Sequence, residues 1–166
     1  MIFRGAEAIV EKINNIFSPK ELSGLKAVVT AGPSIEMIDP VRFLSNFSSG
    51  KQGYAIAEEL QKIGFHTTLI SGPTNLKSPD GVKIISVSNA NEMYEKTIEN
   101  LPVDVAIFTA AVSDIRMKET KNNKIKKKKF KNLEIENTKD ILNLTSKHNS
   151  LRPKLVIGFA AETNNL

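Results

Sequence analysis

At 166 residues, with 40% hydrophobic and 25% charged side chains, the chain suits one domain around a single core and is not disordered in bulk. It has no cysteine, which excludes a disulfide framework, a thiolate metal site and a cysteine nucleophile. No apolar run approaches the roughly 20 residues that span a bilayer, and no apolar stretch follows Met1-Ile2-Phe3-Arg4 as it would in a secretory signal; a cytoplasmic protein without a membrane partner is the expectation.

Residues 4–17 place Ala6, Ile9, Val10, Ile13 and Phe17 on one face of a helix. Ser18-Pro19 ends it, and Lys20 to Gly24 reads as a linker. This leading piece is expected to be attached to the core domain rather than part of it. The core begins at Lys26 with a strand near 26–31, whose Val28-Val29-Thr30-Ala31 run suits a buried parallel strand. Gly32-Pro33 breaks it, and a long loop over 32–49 follows. A helix near 50–63 buries Ala55, Ile56, Leu60 and Ile63 and stops at Gly64. His66 to Ile70 is the next strand, closed by the turn Ser71-Gly72-Pro73-Thr74. Pro79-Asp80-Gly81 is a further turn.

Val82 to Val87 is a third strand. Ser88 or Asn89 caps a helix that runs to about Asn100, with Met93 and Ile98 apolar. Val103 to Thr109 is a fourth strand, and Leu133 to Ile135 a short one. A helix from about Lys139 to Lys147 takes Thr138 as its cap, and Leu155 to Phe159 is the last strand. This alternation predicts an α/β fold: a Rossmann-like, three-layer parallel sheet with helices on both faces. Ligands of such sheets bind outside the carboxyl ends of the strands, at the topological switch. The loops 30–50, 71–74, 109–131 and 159–164 leave such ends, so one shared pocket is expected.

Four segments carry candidate chemistry. Ser48-Ser49-Gly50 opens a helix with Gly53 in its first turn, where free N–H groups and small side chains receive an anion. The glycines are too far apart for GxGxxG. The loop before them holds Asp39, Arg42 and Asn46. Arg42 and Asn46 have the donors for a carboxylate or phosphate; the other reading is a long loop stitched down by Asp39–Arg42 contacts. Thr109-Ala110-Ala111-Val112-Ser113-Asp114 leaves a buried strand with small side chains, suited either to a planar base lying on backbone or to tight packing. Asp114 there suits ribose, an amino group or a metal ion. Phe159, at the exit Gly158 to Thr163, either covers a base or belongs to the core.

His66 and His148 are far apart and lack a metal-binding spacing, so both read as structural or solvated. A carboxylate-bound magnesium ion stays open. The net charge of +5 is uneven. Arg116, Lys118, Lys121, Lys124, Lys126, Lys127, Lys128, Lys129 and Lys131 face only Asp114 and Glu119, so this segment is +7 and the remainder −2. The run is a solvated loop, a nucleic-acid surface, or a mobile flap that closes on a triphosphate. One aromatic, Phe130, is too few for base stacking, and the position directly after a strand end favours the flap.

The stretches IDPVRFLSNFSSGKQGYAIAEEL, TLISGPT, TAAVSDIR, KIKKK and GFAAETNNL resemble the synthetase part of the bacterial bifunctional phosphopantothenoylcysteine decarboxylase/phosphopantothenate–cysteine ligase. The resemblance covers about residues 25–166 and makes residues 1–24 the closing helix and linker of the upstream decarboxylase domain. It implies a ligase of coenzyme A biosynthesis that uses CTP with magnesium. 4′-Phosphopantothenate attacks the α-phosphate of CTP to give an acyl-cytidylate and pyrophosphate, and the amine of L-cysteine then displaces CMP. A homodimer is implied, and no nucleic-acid partner. By motif position, Asn46 handles the acyl-cytidylate beside Arg42, and Lys124 is the flap lysine. Asp114 is a nucleotide-binding aspartate and the metal candidate. Ala110, Ala111, Lys139, Asp140, Ile141, Leu142 and Phe159 are nucleotide-contacting positions, joined by Ser48, Gly50 and Gly72 at the glycine turns. Gly32-Pro33-Ser34 replaces the family's Gly-Gly-Thr while keeping a hydroxyl, and Thr138-Lys139-Asp140 replaces Asn-Pro-Asp. The chain ends at Leu166, before a helix with further triphosphate-contacting lysines, so the domain is expected to be C-terminally truncated with part of its CTP site missing. Two competing functions remain. A nicotinamide-dependent reductase would want an acidic end to the second strand, which here ends in Ile70-Ser71-Gly72; a non-catalytic RNA-binding module would rely on the lysine run.

Overall fold

The computed structural model describes residues 9, 10, 13, 22–127 and 133–161. In chain order the elements are β1 (Lys26–Ala31), β2 (Ile35–Met37), β3 (Phe43–Ser45), α1 (Lys51–Lys62), β4 (His66–Ser71), β5 (Lys83–Ser86), α2 (Ala90–Glu99), β6 (Val105–Phe108), β7 (Ile115–Met117), β8 (Ile135–Asn137), α3 (Ile141–Ser146) and β9 (Leu155–Gly158).

Five strands form one parallel sheet in the order β5-β4-β1-β6-β9. This is the Rossmann-like order, with the direction of winding reversing between β1 and β6. Side chains alternate across the sheet with a period of two. Ala27, Val29 and Ala31 of β1 share one face with Leu69, Val105, Ile107 and Ile157, and there they meet Ile56, Ala57 and Leu60 of α1. Val28, Ile70, Ala106 and Phe108 take the other face against Met93 of α2 and Ile141 of α3. Burial on both faces is why these strands read as continuous apolar runs. Each valine, leucine or isoleucine side chain so buried contributes about 1.5–3 kcal/mol.

The expected α/β architecture is therefore present, with corrections in detail. Ile9 and Ile13 are fully buried in the cluster beneath α1, together with Leu22. At these positions the leading piece is part of the core, not an attachment to it. Ala57 takes the buried place expected of Ala55, which is exposed. Asp140, not Thr138, caps α3: its carboxylate accepts from the Asn143 N–H at 2.9 Å.

The long loop after β1 contains an antiparallel hairpin of β2 and β3. β8 lies two residues beyond the expected short strand and pairs antiparallel with β7, which periodicity did not indicate. Three-residue strands exposed on one side carry too few apolar positions to register as a pattern.

Candidate functional site

The site grows from the carboxyl ends of β1 and β6, at the switch. There the two exits continue to bond past the strands: Ala111 N–H donates to the Gly32 carbonyl at 2.9 Å and Ser34 N–H to the Ala111 carbonyl at 3.2 Å. The buried Ser34 hydroxyl accepts from Ser113 N–H at 2.9 Å. The retained hydroxyl of Gly32-Pro33-Ser34 thus ties the two exits together. The start of α1 presses against both. A Cβ on Gly53 would stand 2.5 Å from both the Ala31 Cβ and the Thr109 hydroxyl oxygen, so only glycine fits this approach. Gly50 caps α1 with φ of 75° and offers no side chain to the helix. Ser48 Oγ accepts from Gly50 N–H at 3.4 Å and Ser49 Oγ from Lys51 N–H at 3.5 Å, while the next N–H groups, of Gln52 and Gly53, have no partner within the helix.

Two adjoining cavities open over this junction. The first, about 690 Å3, is walled by Thr30 and Phe108 from the sheet, Ala110, Val112 and Asp114 after β6, Asn137 to Leu142, and Phe159 with Ala160. The second, about 420 Å3, runs from Phe47 to Gly53 across Thr109–Ala111 to Phe159–Ala161. Ala110, Phe159 and Ala160 line both.

Most of the expected residues come together here. Ala110, Asp114, Lys139, Asp140, Ile141, Leu142 and Phe159 line the first cavity, and Ser48, Gly50 and Ala111 the second. Asn46 lines neither cavity, but its amide nitrogen donates at 3.0 Å to the carbonyl of Ala111, which lines the second. The Lys139 ammonium lies 4.3 Å from the centroid of the Tyr94 ring. Gly158 backs onto the Leu142 side chain, which a Cβ there would overlap.

Other expected residues lie elsewhere. Lys124 lines a separate cleft of about 680 Å3 with Met117, Glu119, Leu133 and Glu134. Gly72 lines neither cavity among the described residues; it packs on the Pro33 carbonyl, where a Cβ would overlap, and donates to the Ala31 carbonyl at 2.9 Å. The shared pocket is thus built by fewer strand-end loops than expected, with the 137–142 segment supplying a wall.

The structure contains the Asp39–Arg42 contacts that stitch down the loop at 32–49. Asp39 is fully buried. It accepts from Arg42 Nε at 3.0 Å and from the Arg42 terminal nitrogen. It also accepts from the backbone N–H groups of Val41 at 2.9 Å, Arg42 at 3.0 Å and Ile125 at 3.1 Å. The Arg42 side chain donates onward to the Ile125 carbonyl at 2.9 Å. The Arg42 hydrogen bond, against the opposing effect of burial and with help from those N–H groups, holds the Asp39 carboxyl well below its ordinary range. Arg42 is thereby turned toward Asp39 and Ile125. The lysine segment is hydrogen-bonded at Ile125 to Asp39 and Arg42; Lys128, Lys129, Phe130 and Lys131 lie outside the described residues.

Among the described residues no three His, Cys, Asp or Glu side chains gather to hold a metal. Asp114 is an exposed carboxylate on the cavity wall, whose other carboxylate, Asp140, is engaged in capping α3. That donor set fits magnesium shared with phosphate oxygens and water, not an all-protein cage. His66 is exposed, and His148 Nδ1 accepts from Leu151 N–H at 3.1 Å, in keeping with structural roles. Sequence reasoning missed Tyr94 and also Glu36, a buried carboxylate that accepts the first N–H of α2, from Ala90, at 2.8 Å. No local signal marks either residue.

Known proteins resemble this chain over most of its length. The chain is 39% identical over 165 residues to the coenzyme A biosynthesis bifunctional protein CoaBC of Borreliella burgdorferi, covering 97% of this chain and 42% of the relative. It is 42% identical over 163 residues to the CoaBC of Haemophilus influenzae, covering 96% and 40%. It thus spans about two fifths of the length of these curated relatives. A crystal structure of the C-terminal domain of a CoaBC protein is similar with a TM-score of 0.70 and 45% identity, over 86% of this chain and 67% of that one. With residues 22–166 matching the DNA/pantothenate metabolism flavoprotein C-terminal domain, the chain belongs to that family.

Proposed function

We propose that this chain carries the phosphopantothenate–cysteine ligase activity of coenzyme A biosynthesis, with CTP as the activating nucleotide. The observation that carries the reading is the cavity at the β1/β6 switch, where Ala110, Asp114, Lys139–Leu142 and Phe159 meet. Its relatives are named for coenzyme A biosynthesis, which supports the same reading. The carboxylate of 4′-phosphopantothenate attacks the α-phosphorus of CTP, pyrophosphate departs, and an acyl-cytidylate results. The amine of L-cysteine then attacks the acyl carbon, CMP departs, and the amine loses a proton as the amide forms.

In this reading Phe159 and the Ala110 backbone wall the base. The N–H groups of Gln52 and Gly53 at the start of α1 receive an anionic portion of the substrates. Asn46, held by the Ala111 carbonyl, presents its amide to the activated acyl group. Arg42 maintains the loop that bears Asn46. Magnesium, carried in with the triphosphate against Asp114, would offset phosphate charge. A homodimer and an upstream decarboxylase domain belong to the same proposal. Met37, Val41 and Phe43, 40%, 60% and 53% exposed around the β2–β3 hairpin, form the apolar surface that supports dimerisation; light scattering that finds the Val41→Asp variant as dimeric as wild type would exclude this hairpin.

The reductase reading lacks support at the end of β4, where Ser71 and Gly72 stand in place of a ribose-binding carboxylate. Calorimetric titration of the full-length protein with CTP, ATP and NADPH in the presence of magnesium tests the proposal. Selective CTP binding, followed by cysteine-dependent release of CMP with 4′-phosphopantothenate, is the expected result. Binding of NADPH in preference to CTP would overturn it.

A further inference from the structure

Tyr94 lies on α2, outside every motif that marks the site. Its ring is half-buried against the apolar cluster beneath α2 and α3. Its face carries the Lys139 ammonium at 4.3 Å from the ring centroid. Lys139 is the sole cation among the described residues that line the first cavity, whose other charged groups are the carboxylates Asp114 and Asp140. One oxygen of Asp140 is already committed to capping α3 at Asn143 N–H. An unrestrained lysine on an exposed wall would sample many rotamers and lose that freedom on contacting a ligand. A ring fixed by packing offers the ammonium a preferred resting place at the cavity wall.

We infer that Tyr94 is a positioning residue for Lys139, and that Lys139 so held donates to an acceptor oxygen of the bound nucleotide. The inference rests on the proposed function and adds a specificity element particular to a chain that carries lysine at this position. A cation here also offsets the two carboxylates that an anionic ligand meets on entering.

The test combines a ligand-independent and a ligand-dependent readout on the full-length protein. Reductive 13C-methylation of lysines, with Lys139 assigned by its loss in Lys139→Met, should give an upfield-shifted Lys139 signal. The shift should survive Tyr94→Phe and vanish in Tyr94→Leu. Calorimetry should show CTP binding weakened about two- to fivefold in Tyr94→Leu, the size of an exposed cation–π contact, restored in Tyr94→Phe, and absent as an effect once Lys139 is already methionine. Weakening of CTP but not cytidine assigns a phosphate oxygen; weakening of both assigns a base or ribose oxygen. A Tyr94→Leu defect that persists unchanged in the Lys139→Met background would mark Tyr94 as mere packing and overturn the inference. So would an unshifted Lys139 signal. A wild-type protein that binds no nucleotide would instead sink the proposed function on which the inference stands.

Discussion

At the scale of single residues, the Asp39–Arg42 pair shows how burial converts a loop into a scaffold. A fully buried carboxylate is costly unless its charge is matched, and here one guanidinium and three backbone N–H groups match it. Removing the charge leaves a half-buried guanidinium group facing a neutral partner. Asp39→Asn should therefore lower Tm at neutral pH. The sign of the pH dependence follows from the lowered carboxyl pKa in the fold. The contribution is complete above the ordinary value of 3.8 and is lost as pH falls below it toward the depressed folded value. Thermal melts between pH 7 and pH 3 should show wild type and Asp39→Asn converging in the acid range. Parallel curves would mean that the pair does not hold the loop.

At the scale of elements, the approach of α1 to the ends of β1 and β6 depends on the absence of one side chain. The Cβ of Gly53→Ala would meet the Ala31 Cβ, the Thr109 hydroxyl and, at 3.1 Å, the Thr30 carbonyl. The Ala31 Cβ and the Thr30 carbonyl are fixed to β1 and cannot yield as the far end of a flexible side chain can, so overpacking should cost about 1–3 kcal/mol in urea unfolding despite the better helix propensity of alanine. The displaced helix start should also weaken nucleotide binding; unaltered stability together with unaltered affinity would refute this account of the junction. The elements that position this junction were legible in the sequence because β1, β4, β6 and β9 are buried on two faces and α1 on one stripe. The β2–β3 and β7–β8 pairs were not, since three-residue strands exposed on one side carry too few apolar positions to set a pattern. Glu36 illustrates the limit: its carboxylate caps α2 across 54 residues, a relation that no local pattern encodes. The cavity residues were legible chiefly through motif resemblance. That route reached Asp114, Lys139 and Phe159 but placed Arg42 and Lys124 by role, and the role carries no coordinates.

At the scale of the whole molecule, charge and topology pull apart. The switch sets the cavities over β1 and β6, while much of the positive charge follows β7, where Lys124 stands in a different cleft. A direct role for Lys124 at the nucleotide thus requires the segment to move, and its neighbour Ile125 is bonded to Asp39 through its N–H and to Arg42 through its carbonyl. The latch and the lysine form one mechanical unit. Lys124 is exposed, so Lys124→Met should leave Tm unchanged while lowering kcat/KM for CTP, by about a hundredfold if its charge meets the departing phosphates. Arg42→Met should lower kcat/KM as well, but by shifting where Ile125 and Lys124 rest rather than by losing a substrate contact. The two effects should then fall short of additive, because each disables the same unit. Additive losses in the double variant would assign Arg42 its own contact with substrate, returning it to the role that motif position implies; no loss from Lys124→Met would leave the lysine segment a solvated surface.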